Sequence, residues 1–410
     1  MKKTSLWLSV LFATLTAQGQ EFVLQGGSTG ADGPLDVAED TTLSLPPDGI
    51  FNYTTITVAE GVTLRFERNA LNTPVYLLAT GDVVINGNID IAGRSGSGLA
   101  GGKGGPGGYD GGRPGFTEAS PPGAGLGPGA GKGGTLEDTT QAGAGSGAFR
   151  SIPVQTESLS NAGPGSSGYS NNHGTVYGNA LLRPLIGGSG GGGAAGSPGV
   201  GGGGGGGALL IGSPTRVTLN GQIDAQGGAS ANTRSVDNGG SGGAVRIVAP
   251  VLEGSGSITV FGGNNKSAFD SRTNHAGHGR IRVDAFELEG ATGMNFSPSA
   301  SLSAGSSVFV FPANRPAIDI VSAAGNEIAP GTLGPVRLNL PFDAPTTQTV
   351  TLRASNFGGV VPVSVVVTPA HGTPQEFQAE IDNGAANPAE VDVAIEVPTN
   401  VQVTLQVWSR

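Results

Sequence analysis

Two aspartates occupy matching positions in two similar segments, and they are the first candidates for chemistry. Asp90 ends the run Asn-Gly-Asn-Ile-Asp at 86–90, and Asp224 ends Asn-Gly-Gln-Ile-Asp at 220–224. If these runs are stacked strands, the aspartates lie about 4.8 Å apart, the spacing of neighbouring strands. Paired carboxylates bind a cation or serve as acid and nucleophile in glycoside cleavage.

A purely structural role explains the same pair. Each aspartate follows an isoleucine that alternation would bury, and a third similar segment has Thr259 at this position. A polysaccharide lyase would also need a basic residue over the groove, for which the strand-associated candidates are Arg216, Arg246, Arg280 and Arg282. The sequence therefore assigns no catalytic residue.

Two histidines form the other candidate group. His275 and His278 make a His-x-x-His pair in a loop rich in Asn and Gly. Zinc needs a third ligand, and the nearest acidic candidates are Asp270 and Asp284. Loop histidines with no helix to orient them are more often solvated, and the chain has no cysteine. We therefore assign no metal ligand, cofactor-binding residue or cofactor.

Four segments share one pattern, which predicts the architecture. Each has an aliphatic strand, a polar turn, an alternating strand, Asn-Gly or its equivalent and a third short strand; the segments are residues 74–93, 208–227, 244–262 and 280–296. Three short strands and three turns form one coil of a parallel β-helix, and stacked coils bury a continuous core. Ile89, Ile223 and Ile258 should form one inward ladder, with residues 56–66 as an earlier coil or cap.

A meander of antiparallel hairpins is the alternative. Asn86-Gly87 and Asn220-Gly221 are also strong hairpin turns. Asn and Gly serve either fold, because both tolerate the left-handed backbone that a corner requires.

Glycine-rich excursions separate the repeats, and each leaves from the same corner. The largest is an insertion at about residues 94–207. A structureless loop of this length is improbable in a compact domain, which favours a collapsed, Gly-packed lobe with extended backbone. Candidate anchors for the lobe are Leu99, Tyr109, Phe116, Leu126, Phe149, Ile152, Tyr169, Tyr177, Leu181, Leu182, Leu185 and Ile186.

The composition changes at about Pro316. Seven short β-patterned runs follow, at residues 317–321, 336–340, 349–354, 362–367, 376–381, 391–397 and 401–408. Several short strands separated by Gly, Pro and Asn turns are typical of a sandwich. The predicted fold is therefore all-β: a short right-handed parallel β-helix at residues 20–315 with a large Gly-rich insertion, and a C-terminal immunoglobulin-like β-sandwich at residues 316–410.

Composition and the N-terminus limit the location and the partners. Lys2 and Lys3, an apolar run from Leu6 to Leu15 and a small-residue site at 17–19 predict a signal peptide at residues 1–19. The apolar run is about ten residues, too short for a span of roughly 20, so we expect a secreted or cell-surface protein without a membrane span. A net charge of −10 disfavours nucleic acid. Glycine, at 75 of 410 residues, is far above the usual share of about 7%.

The run Pro-Val-Tyr-Leu-Leu-Ala-Thr-Gly-Asp-Val-Val-Ile-Asn-Gly at 74–87, the glycine runs and Gly-Ala-Leu-Leu-Ile at 207–211 resemble a group of uncharacterised glycine-rich secreted bacterial proteins. The coils also resemble the pectin-lyase-like right-handed β-helix superfamily, which includes polysaccharide lyases, glycoside hydrolases, tailspikes and adhesins. This resemblance implies a fold and a preference for glycans, whereas catalysis needs a site of its own.

We therefore expect a non-enzymatic structural or adhesive protein whose Gly-rich surface binds an extracellular polymer or glycan surface. The alternative is a carbohydrate-active β-helix enzyme, either a polysaccharide lyase or a glycoside hydrolase. Ice or mineral binding is a third possibility, but the sequence lacks a sustained Thr-x-Thr ladder. Neither the ligand nor the oligomeric state follows from the sequence.

Overall fold

The computed structural model describes residues 27–116, 120–134, 173–195, 199–230, 238–266, 273–308, 310, 316–332, 335–370 and 374–409. This part of the chain is essentially all β. The predicted signal peptide lies outside the described residues, as do the candidate anchors Phe149, Ile152 and Tyr169 and the candidate ligand Asp270.

Short strands fill the first three quarters of the chain. They are β1 (Leu35–Val37), β2 (Thr41–Ser44), β3 (Ile50–Tyr53), β4 (Ile56–Val58), β5 (Thr63–Glu67), β6 (Val75–Ala79), β7 (Val83–Ile85), β8 (Asn88–Asp90), β9 (Ala208–Gly212), β10 (Arg216–Leu219), β11 (Gln222–Asp224), β12 (Ala244–Val248), β13 (Val251–Glu253), β14 (Ser257–Thr259), β15 (Asn264–Lys266), β16 (Thr273–His275), β17 (Arg280–Asp284), β18 (Asn295–Ser297) and β19 (Leu302–Gly305). Short 3-10 helices span Glu289–Ala291 and Ser299–Ser301.

Three parallel sheets run side by side along this part of the molecule. Sheet 1 has the order β1-β4-β7-β10-β13, sheet 2 has β18-β14-β11-β8-β5-β2, and sheet 3 has β19-β17-β12-β9-β6-β3. The chain visits sheets 1, 2 and 3 in turn and then returns to sheet 1 beside its previous strand. This topology is consistent with a β-helix-like fold.

The parallel pairing of the strands shows that the alternative, a meander of antiparallel hairpins, is wrong. Asn86-Gly87 and Asn220-Gly221 join strands of different sheets, and β8 pairs with β11 in parallel. Neither glycine has a left-handed backbone, so the reason for glycine at this corner is space rather than conformation. A β-carbon on Gly221 would overlap the Gly87 carbonyl oxygen. The Asn220 amide donates a hydrogen bond of 2.8 Å to the Asn86 side chain, which links the two corners directly.

The core lies inside the three sheets. Ile89, Ile223 and Ile258 are register neighbours in sheet 2 and are fully buried, which confirms the predicted inward ladder. Leu64 and Phe296 extend the ladder on either side. The predicted earlier coil at residues 56–66 is present as β4 and β5, and β1 to β3 add a further turn before it that the sequence analysis missed.

The Gly-rich excursions all leave between sheets 2 and 3, after β8, β11 and β14. Their described residues pack together. The N–H groups at residues 201–208 donate in rotation to three segments: Gly201, Gly204 and Gly207 to residues 91–97, Gly202, Gly205 and Ala208 to residues 106–112, and Gly203 and Gly206 to residues 238–241. A repeat of three residues without internal hydrogen bonds is that of a polyproline II helix.

The carbonyl groups of the same run accept hydrogen bonds from further segments of the polypeptide. Gly202 and Gly205 accept hydrogen bonds from Gly102 and Gly105, while Gly203 and Gly206 accept from Gly191 and Gly188. Residues 201–207 are all buried, and a β-carbon on Gly203 would overlap the Gly228 carbonyl oxygen. The run is therefore glycine because neighbouring backbones occupy the space of any side chain, and the described lobe is packed with extended backbone as expected.

Only some of the candidate anchors hold the lobe. Leu182 and Leu185 are buried against Leu78 and Leu210, on the side of sheet 3 that faces away from the core. Leu99, Phe116 and Leu181, by contrast, are 87%, 49% and 51% exposed, so the expectation that they pin the lobe is wrong. Residues 201–208 and the segments that hydrogen-bond to them form what we call the glycine bundle, whose closely packed backbones leave no internal space for a large side chain.

Antiparallel sheets make up the C-terminal part. The strands are β20 (Ala317–Ala323), β21 (Asn326–Glu327), β22 (Thr347–Ser355), β23 (Val360–Pro369), β24 (Gln375–Asp382), β25 (Ala389–Glu396) and β26 (Val403–Ser409). They form one sheet of order β21-β20-β22-β25 and one of order β24-β23-β26. Their aliphatic side chains form a second core. Residues 336–340 are not a strand, contrary to expectation, because this mostly exposed segment pairs with neither sheet.

Candidate functional site

The outward side of sheet 2 is a face of polar side chains. One row contains Thr63, Asn88, Gln222, Ser257 and Asn295, which are register neighbours on successive strands. The second row contains Thr42, Arg65, Asp90, Asp224, Thr259 and Ser297. We call these two rows the polar face. Alternation produces it, because the residues between the rows point into the core.

Asp90 and Asp224 lie beside each other in the second row, as the repeat alignment predicted. Asp90 is held by two arginines: its Oδ2 is 3.1 Å from Arg65 Nε and 3.5 Å from an Arg94 guanidinium nitrogen. Asp224 accepts a hydrogen bond of 2.9 Å from the Gln226 backbone N–H. Asp90 accepts an equivalent hydrogen bond of 3.1 Å from the Ala92 N–H, so the two carboxylates differ in the ion pairs of Asp90 and not in their backbone contacts.

The surroundings of Asp224 favour its protonated form. Burial raises the pKa of Asp224, and the negative charge of Asp90 raises it further, although the Gln226 hydrogen bonds and the Arg94 charge oppose the shift. A carboxyl with a raised pKa beside an ion-paired carboxylate resembles the arrangement of an acid and its ionised partner.

Arg65 and Arg94 were missed in the sequence analysis. Residues 56–66 are predicted to form an earlier coil, so Leu64 can be aligned with Ile89 in the inward ladder. This alignment places Arg65 next to Asp90. Arg94 lies four residues beyond Asp90, where the chain enters the lobe. Its contact depends on the bend of the chain after β8, which the repeat pattern does not specify.

The four arginines named from the sequence are elsewhere. Arg216 lies in sheet 1, where it is 3.4 Å from Glu253 and 3.9 Å from Asp82. Arg246, Arg280 and Arg282 belong to sheet 3. Arg246 and Arg282 both bind Asp284, at 2.8 and 2.6 Å, in a cluster that is almost completely buried. These arginines therefore do not converge with Asp90 and Asp224.

The histidine pair does not form a metal site with its nearest described carboxylate. Asp284 is occupied by the two guanidinium groups, and His278 Nδ1 accepts a hydrogen bond of 3.3 Å from the Gly262 N–H. The His278 ring also packs edge-on against Phe261. His275 is in β16, and its side chain lies outside the described part. No group of three or more potential ligand residues occurs among the described residues.

Comparison with known proteins assigns no family. The chain matches no protein-family model, no curated protein and no solved structure. In the part of the chain that the structure describes, no helix is long and apolar enough to cross a membrane. The resemblance to glycine-rich bacterial proteins and to the pectin-lyase-like superfamily stays a prediction.

Proposed function

We propose that this is a secreted or cell-surface structural or adhesive protein that attaches to an extracellular polymer or glycan. In this proposal the three parallel sheets are a right-handed β-helix, and the C-terminal sheets are an immunoglobulin-like sandwich. The polar face is the observation that supports attachment. It is six strands long and offers hydrogen-bonding side chains in two parallel rows, a shape suited to an extended polymer.

Composition suggests that the glycine runs bind the ligand, whereas in this proposal they support the neighbouring structure. The amide groups of residues 201–207 bind other parts of the chain, so these glycines are not a contact surface. We place the contact on the polar face and treat the glycine bundle as a rigid flank beside it. The exposed Leu99 and Phe116 offer a second surface, on the lobe itself.

A glycan array with the processed chain tests the proposal. The double variant Asn88→Ala, Gln222→Ala should lose binding, because both residues belong to the first row of the polar face. Thr57→Ala on the outward side of sheet 1 is the matched control and should bind normally. Binding that survives the double variant but disappears in Leu99→Ser, Phe116→Ser would move the contact to the lobe. Absence of binding to every glycan and matrix polymer would oppose the proposal.

A carbohydrate-active enzyme is the second candidate, and the unequal surroundings of Asp90 and Asp224 favour it. Neighbouring strands are about 4.8 Å apart, close to the roughly 5–5.5 Å separation of carboxyl groups in retaining glycosidases. In this mechanism Asp224 would protonate the leaving oxygen and Asp90 would attack the sugar. A reducing-sugar assay on each bound glycan tests it: Asp224→Asn should abolish release, whereas Asp36→Asn in sheet 1 should not. No release by the unaltered protein would exclude this candidate for the glycans tested.

A further inference from the structure

A cavity of about 710 Å³ is lined by both sheets of the C-terminal part and by the lobe. Its volume falls in the range of about 300–1,000 Å³ that is usual for small-molecule sites. The most buried lining residues are Val350, Val367 and Ile395, which belong to the second core. Tyr109 of the lobe and Trp408 of β26 also line it, and their rings lie 6.4 Å apart. The cavity therefore extends from the second core to the lobe.

The lining of this cavity is mixed in character. Aliphatic side chains share it with the charged Asp319 and Arg337 and with polar side chains such as Gln348 and Gln402. The charges of Asp319 and Arg337 are opposite, so the lining favours neither an anion nor a cation. A wholly apolar ligand would take the polar side chains out of water without giving them partners. The lining therefore fits a neutral molecule that has both apolar and polar surfaces.

The cavity also runs along the free edge of β26. All of residues 402–408 line it, and β26 is the last strand of its sheet. The strand pairs with β23 on one side, and no described backbone group bonds to its other side. A free strand edge offers both N–H donors and C=O acceptors. A hydroxyl group matches such an edge, because it both donates and accepts hydrogen bonds.

One buried acceptor among the lining residues lacks a donor. Gln406 lines the cavity, and its Oε1 atom is buried without a hydrogen-bond partner. Nearly all buried polar atoms of native proteins are bonded, because an unpaired one costs free energy. An O–H group of a bound molecule would supply the missing donor. This observation points to a ligand independently of the volume of the cavity.

We propose that this cavity binds one uncharged pyranose ring. Its hydroxyl groups would bond to Gln406 Oε1 and to the free edge of β26. Its C–H faces would lie against the aliphatic side chains and the ring of Trp408, which removes apolar surface from water. The cavity is separate from the polar face, so this proposal goes beyond attachment to an extended polymer and is tested independently of it.

The probes are the methyl glycosides of glucose, galactose, mannose and N-acetylglucosamine, each of which has one uncharged pyranose ring. Trp7 falls in the predicted signal peptide, so Trp408 is the only tryptophan of the processed chain. Its fluorescence should change in a saturable manner with at least one of these glycosides. Sorbitol, which has hydroxyl groups but no ring, and methyl glucuronide, whose ring carries a negative charge, are the control ligands and should give no saturable change.

Variants of the protein test the location. Gln406→Leu removes the unpartnered acceptor and should weaken binding roughly ten-fold or more. Gln378→Leu, on the opposite edge strand of the same sheet and outside the cavity lining, is the matched control and should bind as the unaltered protein does. Ala329→Phe narrows the cavity at an exposed lining position and should also weaken binding. The polar-face variant Asn88→Ala, Gln222→Ala should leave the fluorescence response unchanged.

The Tm of the unbound protein separates a ligand site from a structural role of Gln406. Gln406→Leu should not lower this Tm, because it removes a buried polar atom that has no partner. A marked fall in Tm would overturn the proposal, since the acceptor would then hold an ordered water only. The proposal would equally be overturned by no saturable response to any of the four glycosides, by an equal response to either control ligand, or by unchanged affinity in Gln406→Leu and Ala329→Phe that circular dichroism shows to be folded.

Discussion

Asp224 lies directly beside Asp90 on a neighbouring parallel strand, yet among the described residues only Asp90 has arginine side chains in ion-pairing contact. The difference arises from neighbours on either side of the pair. Arg65 belongs to the strand on the far side of Asp90, whereas Thr259 occupies the equivalent position beside Asp224. Two residues at equivalent repeat positions therefore have different acid–base environments.

This difference predicts a pH dependence of stability. Because the pKa of Asp224 is raised above its ordinary value of 3.8, the native state holds more protons than the unfolded chain between the two pKa values. The free energy of unfolding should therefore fall as pH rises through this window, and the Asp224 contribution is fully lost above the native pKa. Asp224→Asn should remove this part of the pH dependence in urea titrations from pH 3 upward. The exposed Asp36→Asn is the control, and an identical profile for Asp224→Asn and the unaltered protein would contradict the prediction.

The ladder of sheet 2 predicts the effect of a core charge. Ile223 is fully buried between Ile89 and Ile258, so Ile223→Asp would bury a carboxylate without a partner. We expect a loss of more than about 4 kcal/mol, enough to unfold the parallel sheets. Asn88→Asp, on an exposed position of the same sheet, should change stability by less than about 0.5 kcal/mol. Near-normal Tm for Ile223→Asp would show that the register is wrong.

The glycine bundle predicts that two similar substitutions differ sharply. Gly203→Ala places a methyl group against the Gly228 carbonyl and should cost about 1–3 kcal/mol or more, because the neighbouring backbone must move. At Gly98 the nearest atom to an added β-carbon is 3.7 Å away, so Gly98→Ala should be neutral within about 0.5 kcal/mol. Chemical denaturation of both variants measures the difference. Equal stabilities would mean that the described bundle does not form in solution.

Deletion of residues 95–204 tests whether the parallel sheets fold without the lobe. The three strands before the deletion pair directly with the three strands after it, β6 with β9, β7 with β10 and β8 with β11, so β-type circular dichroism should remain. The deletion also exposes Leu78 and Leu210, which Leu182 and Leu185 cover in the intact chain. We therefore expect a lower Tm and association that Leu78→Gln, Leu210→Gln reduces. Loss of the β signal in monomeric protein would make the lobe part of the folding core.

The buried cluster around Asp284 predicts a large effect from a small change. Arg246 is 2% exposed and both its bonds to Asp284 would be weakened in Asp284→Asn. Leaving the two guanidinium groups without their carboxylate should cost about 3–5 kcal/mol. The double variant Arg246→Met, Asp284→Asn should recover part of this loss, which thermal denaturation would measure. No recovery would indicate that Asp284 acts mainly through Arg282.

The sequence by itself determined the repeat and its inward ladder. A β-strand alternates with a period of two, so Ile89, Ile223 and Ile258 could be aligned without coordinates. The same reasoning placed Asp90 beside Asp224, and composition located the change to antiparallel strands. Val336 to Leu340 were misassigned because an aliphatic run has the same pattern whether or not a neighbouring strand is available to pair with it.

Only the tertiary structure decided how the glycines are used and what surrounds the aspartates. The hydrogen bonds of residues 201–208 reach segments far away in sequence, such as the one from Gly207 to Ile91, and a low-complexity run contains no information on which neighbours it will meet. The contacts of Arg94 and Trp408 likewise depend on bends and on the packing of separate sheets. Local pattern specifies which side of a strand is buried, whereas long-range packing specifies what lies against the other side.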